Sequence, residues 1–221
     1  MKVNKIYLDV PFKEKDEAKK FGVKWGNNKK LWFTDGRGTK KGIEKWIPTI
    51  NLITPLVVIK NYRICWKCKN ITPIIAFTAK DFIETSFLKD DICDFVNDDE
   101  SPDKEIKTFL NELNSREQLS ASYEYKILFS NLNFYLISNL KKIITEKYPF
   151  YRLGRSKAAG IYVANHCVKC DSIQGDFPIF CEPDGEFWIE SREELDKLEK
   201  EIILEENSTL PLNVDIYYSS L

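Results

Sequence analysis

Apolar and polar residues alternate over Ile6-Tyr7-Leu8-Asp9-Val10, a short strand that Pro11 ends. The run from Glu14 to Phe21 takes a helical period with Ala18 and Phe21 directed inward, and Gly22 suits the left-handed position that closes a helix. Leu31-Trp32-Phe33-Thr34 is a second strand after an Asn27-Asn28 turn, Gly36 and Gly38 break the chain, and a short helix from Gly42 to Trp46 stops before Pro48. These elements predict a βαβα module over residues 1–48.

Downstream, Ile50 to Lys60 reads as linker then strand, and Ile71 to Thr78 as a second β-prone run. Residues 88–120 are polar and acidic, with Pro102 as a helix start. From Tyr123 to Lys147, Leu128, Leu132, Leu136, Leu140 and Ile144 recur at spacing four, which predicts a core helix at least in the second half of the stretch, ended by Pro149. Gly160 to Ala164 and Phe187 to Ile189 read as strands. Ser191 can cap a helix from Glu193 to Glu205 with Glu194 in the capping-box place, and Val214 to Tyr218 is a final strand. The fold class predicted is α+β: a small N-terminal module followed by a larger α+β domain over residues 49–221.

Composition adds a compartment and a charge pattern. Of 221 residues, 43% are hydrophobic and 30% charged, as in ordinary globular chains. No run is long enough to cross a bilayer and no apolar leader follows Lys2, so the expectation is a cytoplasmic protein without a membrane partner. In a reducing compartment the six cysteines favour metal over disulfides. Net charge is −1, yet residues 1–47 hold thirteen Lys and Arg against six Asp and Glu, while 84–117 and 182–206 each hold eleven acids. Basic blocks suit a polyanion, and acidic blocks suit a basic protein partner or solvent.

The chemistry that stands out is Cys65-Trp66-Lys67-Cys68 and Cys167-Val168-Lys169-Cys170. A CxxC turn aims both sulfurs at one point, and four thiolates match tetrahedral zinc. With 98 residues between the pairs, only the fold can join them, so the reading is a split zinc site that closes the larger domain. A redox CxxC, free buried thiols and an iron–sulfur cluster are the alternatives. Cys93 and Cys181 have no close partner and read as buried apolar residues; His166, the one histidine, abuts Cys167. Four thiolates leave no open coordination position, so the metal would be structural rather than catalytic.

The run Leu8-Asp9-Val10-Pro11-Phe12-Lys13-Glu14-Lys15-Asp16-Glu17-Ala18-Lys19, then Gly22-Val23-Lys24-Trp25 and Lys30-Leu31-Trp32-Phe33, carries a family pattern over residues 4–47. It resembles a small bacterial domain of unknown function found on plasmid conjugation primases and many other proteins. It is more weakly similar to the HARP module of DNA-annealing helicases. The departure is Leu31-Trp32 with Gly26-Asn27-Asn28 upstream, where that family more often has an acidic residue. Asn165-His166-Cys167, Cys170 and Gln174-Gly175-Asp176-Phe177 resemble zinc regions that accompany this N-terminal domain. The resemblances imply contact with DNA or RNA and an origin in a mobile element, phage or defence system.

The residues themselves agree in part. Lys13, Lys15, Lys19, Lys20, Lys24, Lys29 and Lys30 surround Trp25, Trp32, Phe33 and Trp46, and lysines meet phosphate while aromatics stack on bases. In so small a module, two of the three tryptophans are expected in the core. A second basic-aromatic stretch, Lys147 to Lys157, offers Arg152, Arg155 and Lys157. The leading function is therefore a non-enzymatic zinc-containing nucleic-acid-binding accessory protein. The alternative is a protein–protein adaptor using the acidic segments. A magnesium nuclease built on Asp98-Asp99-Glu100 is the third reading, weakened by the single histidine and the lack of a phosphate loop or nucleophile motif.

Overall fold

In the computed structural model, which describes residues 4–95, 101–115, 125–129, 138–204, 209–213 and 215–219, the strands and helices run as follows. They are β1 (Ile6–Leu8), α1 (Lys15–Lys20), β2 (Lys24–Gly26), β3 (Leu31–Thr34), β4 (Ile50–Ile64), β5 (Ile71–Glu84), α2 (Ser86–Phe95) and α3 (Asp103–Ser115). Then come β6 (Tyr125–Phe129), α4 (Ser138–Lys147), β7 (Tyr151–Ser156), β8 (Gly160–Asn165), α5 (Arg192–Lys197), β9 (Glu199–Leu204), β10 (Thr209–Leu212) and β11 (Asp215–Ser219). The chain forms two units, each discontinuous in sequence: residues 1–53, 81–122 and 208–212, and residues 54–80, 123–207 and 213–221. Among the described residues no helix is long and apolar enough to cross a membrane.

In the first unit an antiparallel sheet of order β1-β3-β2 pairs Leu8 with Trp32 and Trp25 with Trp32. The module is thus βαββ closed by a single 3₁₀ turn at Glu44–Trp46, not the expected βαβα. β2 went unforeseen because three residues carry too little alternation to signal a strand; pairing with β3 creates it. Gly22 takes φ +80° just past α1, and a Cβ there would fall 1.8 Å from the Gly38 carbonyl oxygen, so only glycine fits. Trp46 is buried and Trp32 packs against the core, while Trp25 is exposed.

The acidic segment supplies much of that core. Leu88 and Ile92 of α2 and Ile106 and Leu110 of α3 are buried with Ile6, Leu8, Ala18, Val23 and Trp46. At about 1.5–3 kcal/mol per side chain, the four helical residues contribute on the order of 6–12 kcal/mol, so residues 1–48 depend on α2 and α3. Asp103 accepts from the N–H groups of Gly38 (2.7 Å) and Thr39 (2.8 Å), tying α3 to the glycine loop. The Asn51 side chain accepts from Tyr7 N–H (2.7 Å) and donates to Tyr7 C=O (3.1 Å), so it bonds β1 as a neighbouring strand would. β10 pairs antiparallel with Ile50–Ile53 of β4.

In the second unit β4 and β5 run long, β9 pairs with Leu56–Lys60 of β4, and β6 links β5 to β11, all antiparallel where registered. β7 and β8 form a separate antiparallel hairpin. Ile59, Ile74 and Ala76 pack against Ile179, Phe180, Phe187 and Ile189, with Phe180 and Phe187 stacked at 5.4 Å. Phe77 meets Tyr151 edge-on at 5.4 Å.

Three sequence expectations give way here, wholly or in part, to tertiary contacts. Over 123–147 the helix forms in the second half, as α4 with Leu140 and Ile144 buried, while Tyr125–Phe129 in the first half are aromatic and β-prone and pair with β11 as β6. Leu132 and Leu136 lie outside the described residues. Phe187–Ile189 is not a strand, because Phe187 N–H donates to Ile179 C=O (3.0 Å) and folds back on the helical turn Phe177–Cys181. The helix from Glu193 gives way after Lys197 to β9, which β4 recruits; its N-terminus is as expected, with Ser191 Oγ accepting from Glu194 N–H at 3.2 Å.

Glu14 makes the first unit sensitive to acid. The Trp46 indole N–H (2.9 Å) holds its carboxyl below the ordinary 4.5 against the opposing effect of burial, with Lys45 and Lys13 adding to the lowering. A depressed folded value means this stabilisation is present above the unfolded value and is lost as pH falls through the folded one. Thermal melts of the full chain should therefore drop below about pH 4.5, and Glu14→Gln should flatten that drop. An unchanged acid limb in Glu14→Gln would remove Glu14 as its source.

Candidate metal centre

Two loops of the same geometry carry the cysteines. After β4, Cys65 N–H donates to Asn70 C=O (2.8 Å) and Lys69 N–H to Cys65 C=O (3.0 Å); after β8, Cys167 N–H donates to Ser172 C=O (2.9 Å) and Asp171 N–H to Cys167 C=O (2.9 Å). The residue four past the first cysteine turns left-handed in both, Lys69 at φ 61° and Asp171 at φ 62°. That turn sends the chain back on itself while both sulfurs stay inside the loop.

The two loops meet where side chains dock β8 and its loop on β5. Asn165, buried, accepts from Ile75 N–H (2.8 Å) and donates to Ile75 C=O (3.0 Å). Val168 N–H, inside the second loop, donates to the buried Thr72 hydroxyl (3.1 Å) just past the first.

The result brings Cys65, Cys68, Cys167 and Cys170 together with all four sulfurs within 4.8 Å of one another. Cys65 and Cys170 are 3.7 Å apart and Cys68 and Cys167 3.6 Å. A tetrahedral ion with metal–sulfur bonds of about 2.3 Å needs edges of about 3.8 Å, so this set could hold a metal ion. Cys65 and Cys167 are buried, Cys68 and Cys170 half-buried.

The surroundings favour thiolate on one side and oppose it on the other. Burial raises the Cys65 thiol, but the N–H groups of Cys68 and Lys67, the Ser172 hydroxyl and the Gln174 amide outweigh it and bring it to about 5. Cys68 is lowered, chiefly by Asn70. Cys167 is raised by burial and by the nearby Cys68 and Cys65 sulfurs. Like charges gathered this closely resist full ionisation, and a cation at their centre would remove that resistance.

Sequence spacing did not reveal the supporting residues Asn165, Ser172 and Gln174. Asn165 and Gln174 stand in the stretch that resembles zinc regions, which gave them no role of their own. His166 is buried with Nδ1 2.9 Å from Ala164 C=O, outside the sulfur set. Cys181 is half-buried and packs against the second unit's core, but Cys93 is exposed on α2, a correction to its reading as buried: Leu88 and Ile92 take that helix's inner face.

The expected phosphate contacts fall in separate units. In the first, Lys13 and Lys19 are exposed and paired with Glu14 (3.8 Å) and Asp16 (3.4 Å), and Lys24 bonds Asp35 (2.5 Å). Lys15 lies over Phe12 and Lys29 over Tyr7, while Lys20 and Lys30 are exposed. In the second, Arg152 pairs with Asp171, and Arg155 and Lys157 are exposed. The acidic stretch at β9 is partly neutralised within its unit, since Lys60 bonds Glu199 (2.6 Å) and Lys147 pairs with Glu201. Asp98, Asp99 and Glu100 lie outside the described residues.

Residues 5–48 match the family described as a domain of unknown function (DUF5710). No curated protein and no solved structure matches the chain.

Asn165→Ala should leave the N–H and C=O of Ile75 buried without partners, at a cost of about 2–4 kcal/mol. Denaturant unfolding of the full chain measures this. A loss below about 0.5 kcal/mol would mean the amide does not dock the loops.

Proposed function

We propose that this protein is a zinc-stapled nucleic-acid-binding accessory protein, in which the metal holds the scaffold and basic side chains make the contacts. The observation that carries the reading is the setting of the four sulfurs. The loops that hold them and the adjoining hairpin, residues 65–70 and 151–172, contain Lys67, Lys69, Arg152, Arg155, Lys157 and Lys169 against the single acid Asp171. Asp171 is itself paired with Arg152. Four thiolates in a reducing setting select zinc, fill its tetrahedron and leave no position for a reacting water. The lysines of the N-terminal module would add a second set of phosphate contacts, in keeping with its likeness to a domain carried by conjugation primases. Zinc binding in such a site is folding free energy, because the unfolded chain holds no preformed cage.

Two measurements test the two halves. The purified protein should carry about one zinc per chain, and chelation or Cys65→Ser should lower its melting temperature by several degrees. Absence of zinc, or a Cys65→Ser protein that melts like the wild type, would overturn the staple. Gel shifts at low salt should show binding to DNA or RNA, weakened by a Lys20→Gln/Lys30→Gln double variant and by added salt. No shift with single- or double-stranded DNA or RNA at low salt would overturn nucleic-acid binding.

A further inference from the structure

Beside the metal loops, within the second unit, lies an open cleft of about 710 Å³. Its walls come from the first cysteine loop, the β7–β8 hairpin and the stretch leaving the second cysteine loop; Trp66, Lys67, Arg155 and Tyr162 all line it. The volume lies within the range of about 300–1,000 Å³ usual for ligand sites. At Gly154 the hairpin lies close against the cleft's other lining: a Cβ there would come within 2.6 Å of His166 Nε2 and 2.7 Å of Ile173 Cδ1.

Trp66 is 58% exposed, an unusual cost for so large an apolar ring. It is nevertheless held in one orientation, because its indole N–H donates to Ile173 C=O at 2.8 Å and it sits between Cys65 and Lys67. Among the described residues Lys67 and Arg155 have no acidic partner, and the one acid lining the cleft, Asp171, is paired with Arg152. Outside the cleft the positive charge continues along Lys69, Lys157 and Lys169, all exposed or half-buried at the same loops and hairpin.

From this we infer that the cleft takes one nucleotide of a single-stranded nucleic acid, its base stacked on Trp66 and its phosphate held by Arg155 and Lys67. A fixed, solvent-facing indole offers a flat surface that a base can cover, and a base inside a duplex has no free face to present. The continuing basic residues suit the phosphates on either side, which a free nucleotide would not supply. The assignment rests on the nucleic-acid reading above and narrows it to a strand type and a site.

The test is fluorescence anisotropy at low salt with a labelled oligothymidylate, or its ribo counterpart, of about twelve nucleotides. The matching duplex, a mononucleotide and an oligoglutamate peptide serve as competitors. The single strand should bind more tightly than any of them. Trp66→Ala should weaken single-strand binding about five- to a hundred-fold, and Trp66→Tyr should keep most of it. Arg155→Gln should make the logarithmic salt slope shallower by about 0.7. Metal content is checked in each variant so that a damaged cysteine loop is not mistaken for a lost stack. If Trp66→Ala and Arg155→Gln bind the single strand like wild type while Lys20→Gln/Lys30→Gln does not, the cleft assignment is wrong and nucleic-acid binding stands. Equal binding of the mononucleotide or of oligoglutamate would likewise overturn a single-strand site. If the wild type binds no nucleic acid, both readings fall.

Discussion

The second unit hangs on the pair of hydrogen bonds between the Asn165 side chain and the backbone of Ile75. β8 is not a ladder neighbour of β5, so no row of backbone bonds fixes one against the other. One buried carboxamide supplies both a donor and an acceptor, which is what a strand edge offers at a paired residue. It sets where β8 ends, and the second cysteine loop begins two residues later. Asn51 repeats the device in the first unit, where it bonds the backbone of Tyr7. Neither amide is replaceable by an apolar residue without orphaning buried backbone groups.

Once docked, the loops impose an electrostatic problem that a cation solves. Four sulfurs within 4.8 Å cannot all be charged without mutual opposition; burial holds the Cys167 thiol up, while hydrogen bonds bring Cys65 down. Ser172 and Gln174 hydrogen-bond Cys65 and so orient it, as outer-layer groups do around metal ligands. Neutral donors rather than cations thus favour the thiolate form of Cys65. Of the cationic side chains around it, Lys67, Lys69, Arg155, Lys157 and Lys169 are exposed, and Arg152 pairs with Asp171.

The acidic segments divide between structure and solvent. α2 carries Asp90, Asp91 and Asp94 outward, α2 and α3 together give the first unit four core side chains, and Asp103 caps the glycine loop. On β9, Glu199 and Glu201 meet Lys60 and Lys147. A charge run counted along the chain overstates what a partner would meet, because part of it is already neutralised within its own unit.

Local chemistry was legible in the sequence. The two CxxC turns, the αL glycine at Gly22, the Ser191 cap and the first strand need only near neighbours, and the matching bonds appear. What the sequence by itself determined, then, is which residues could turn, cap or ligate, because those properties belong to side-chain chemistry within a few positions. Tertiary structure decided the rest. β4 and β11 drew β9 and β6 out of runs with a helical period, and α2 and α3 completed a core that residues 1–48 lack alone. The cysteine pairs, 98 residues apart, met through side-chain to backbone bonds between distant segments, Asn165 to Ile75 and Thr72 to Val168 among them. Strand pairing and burial are contacts between distant segments, so their energies outweigh local propensity and leave no periodic trace in the chain that makes them.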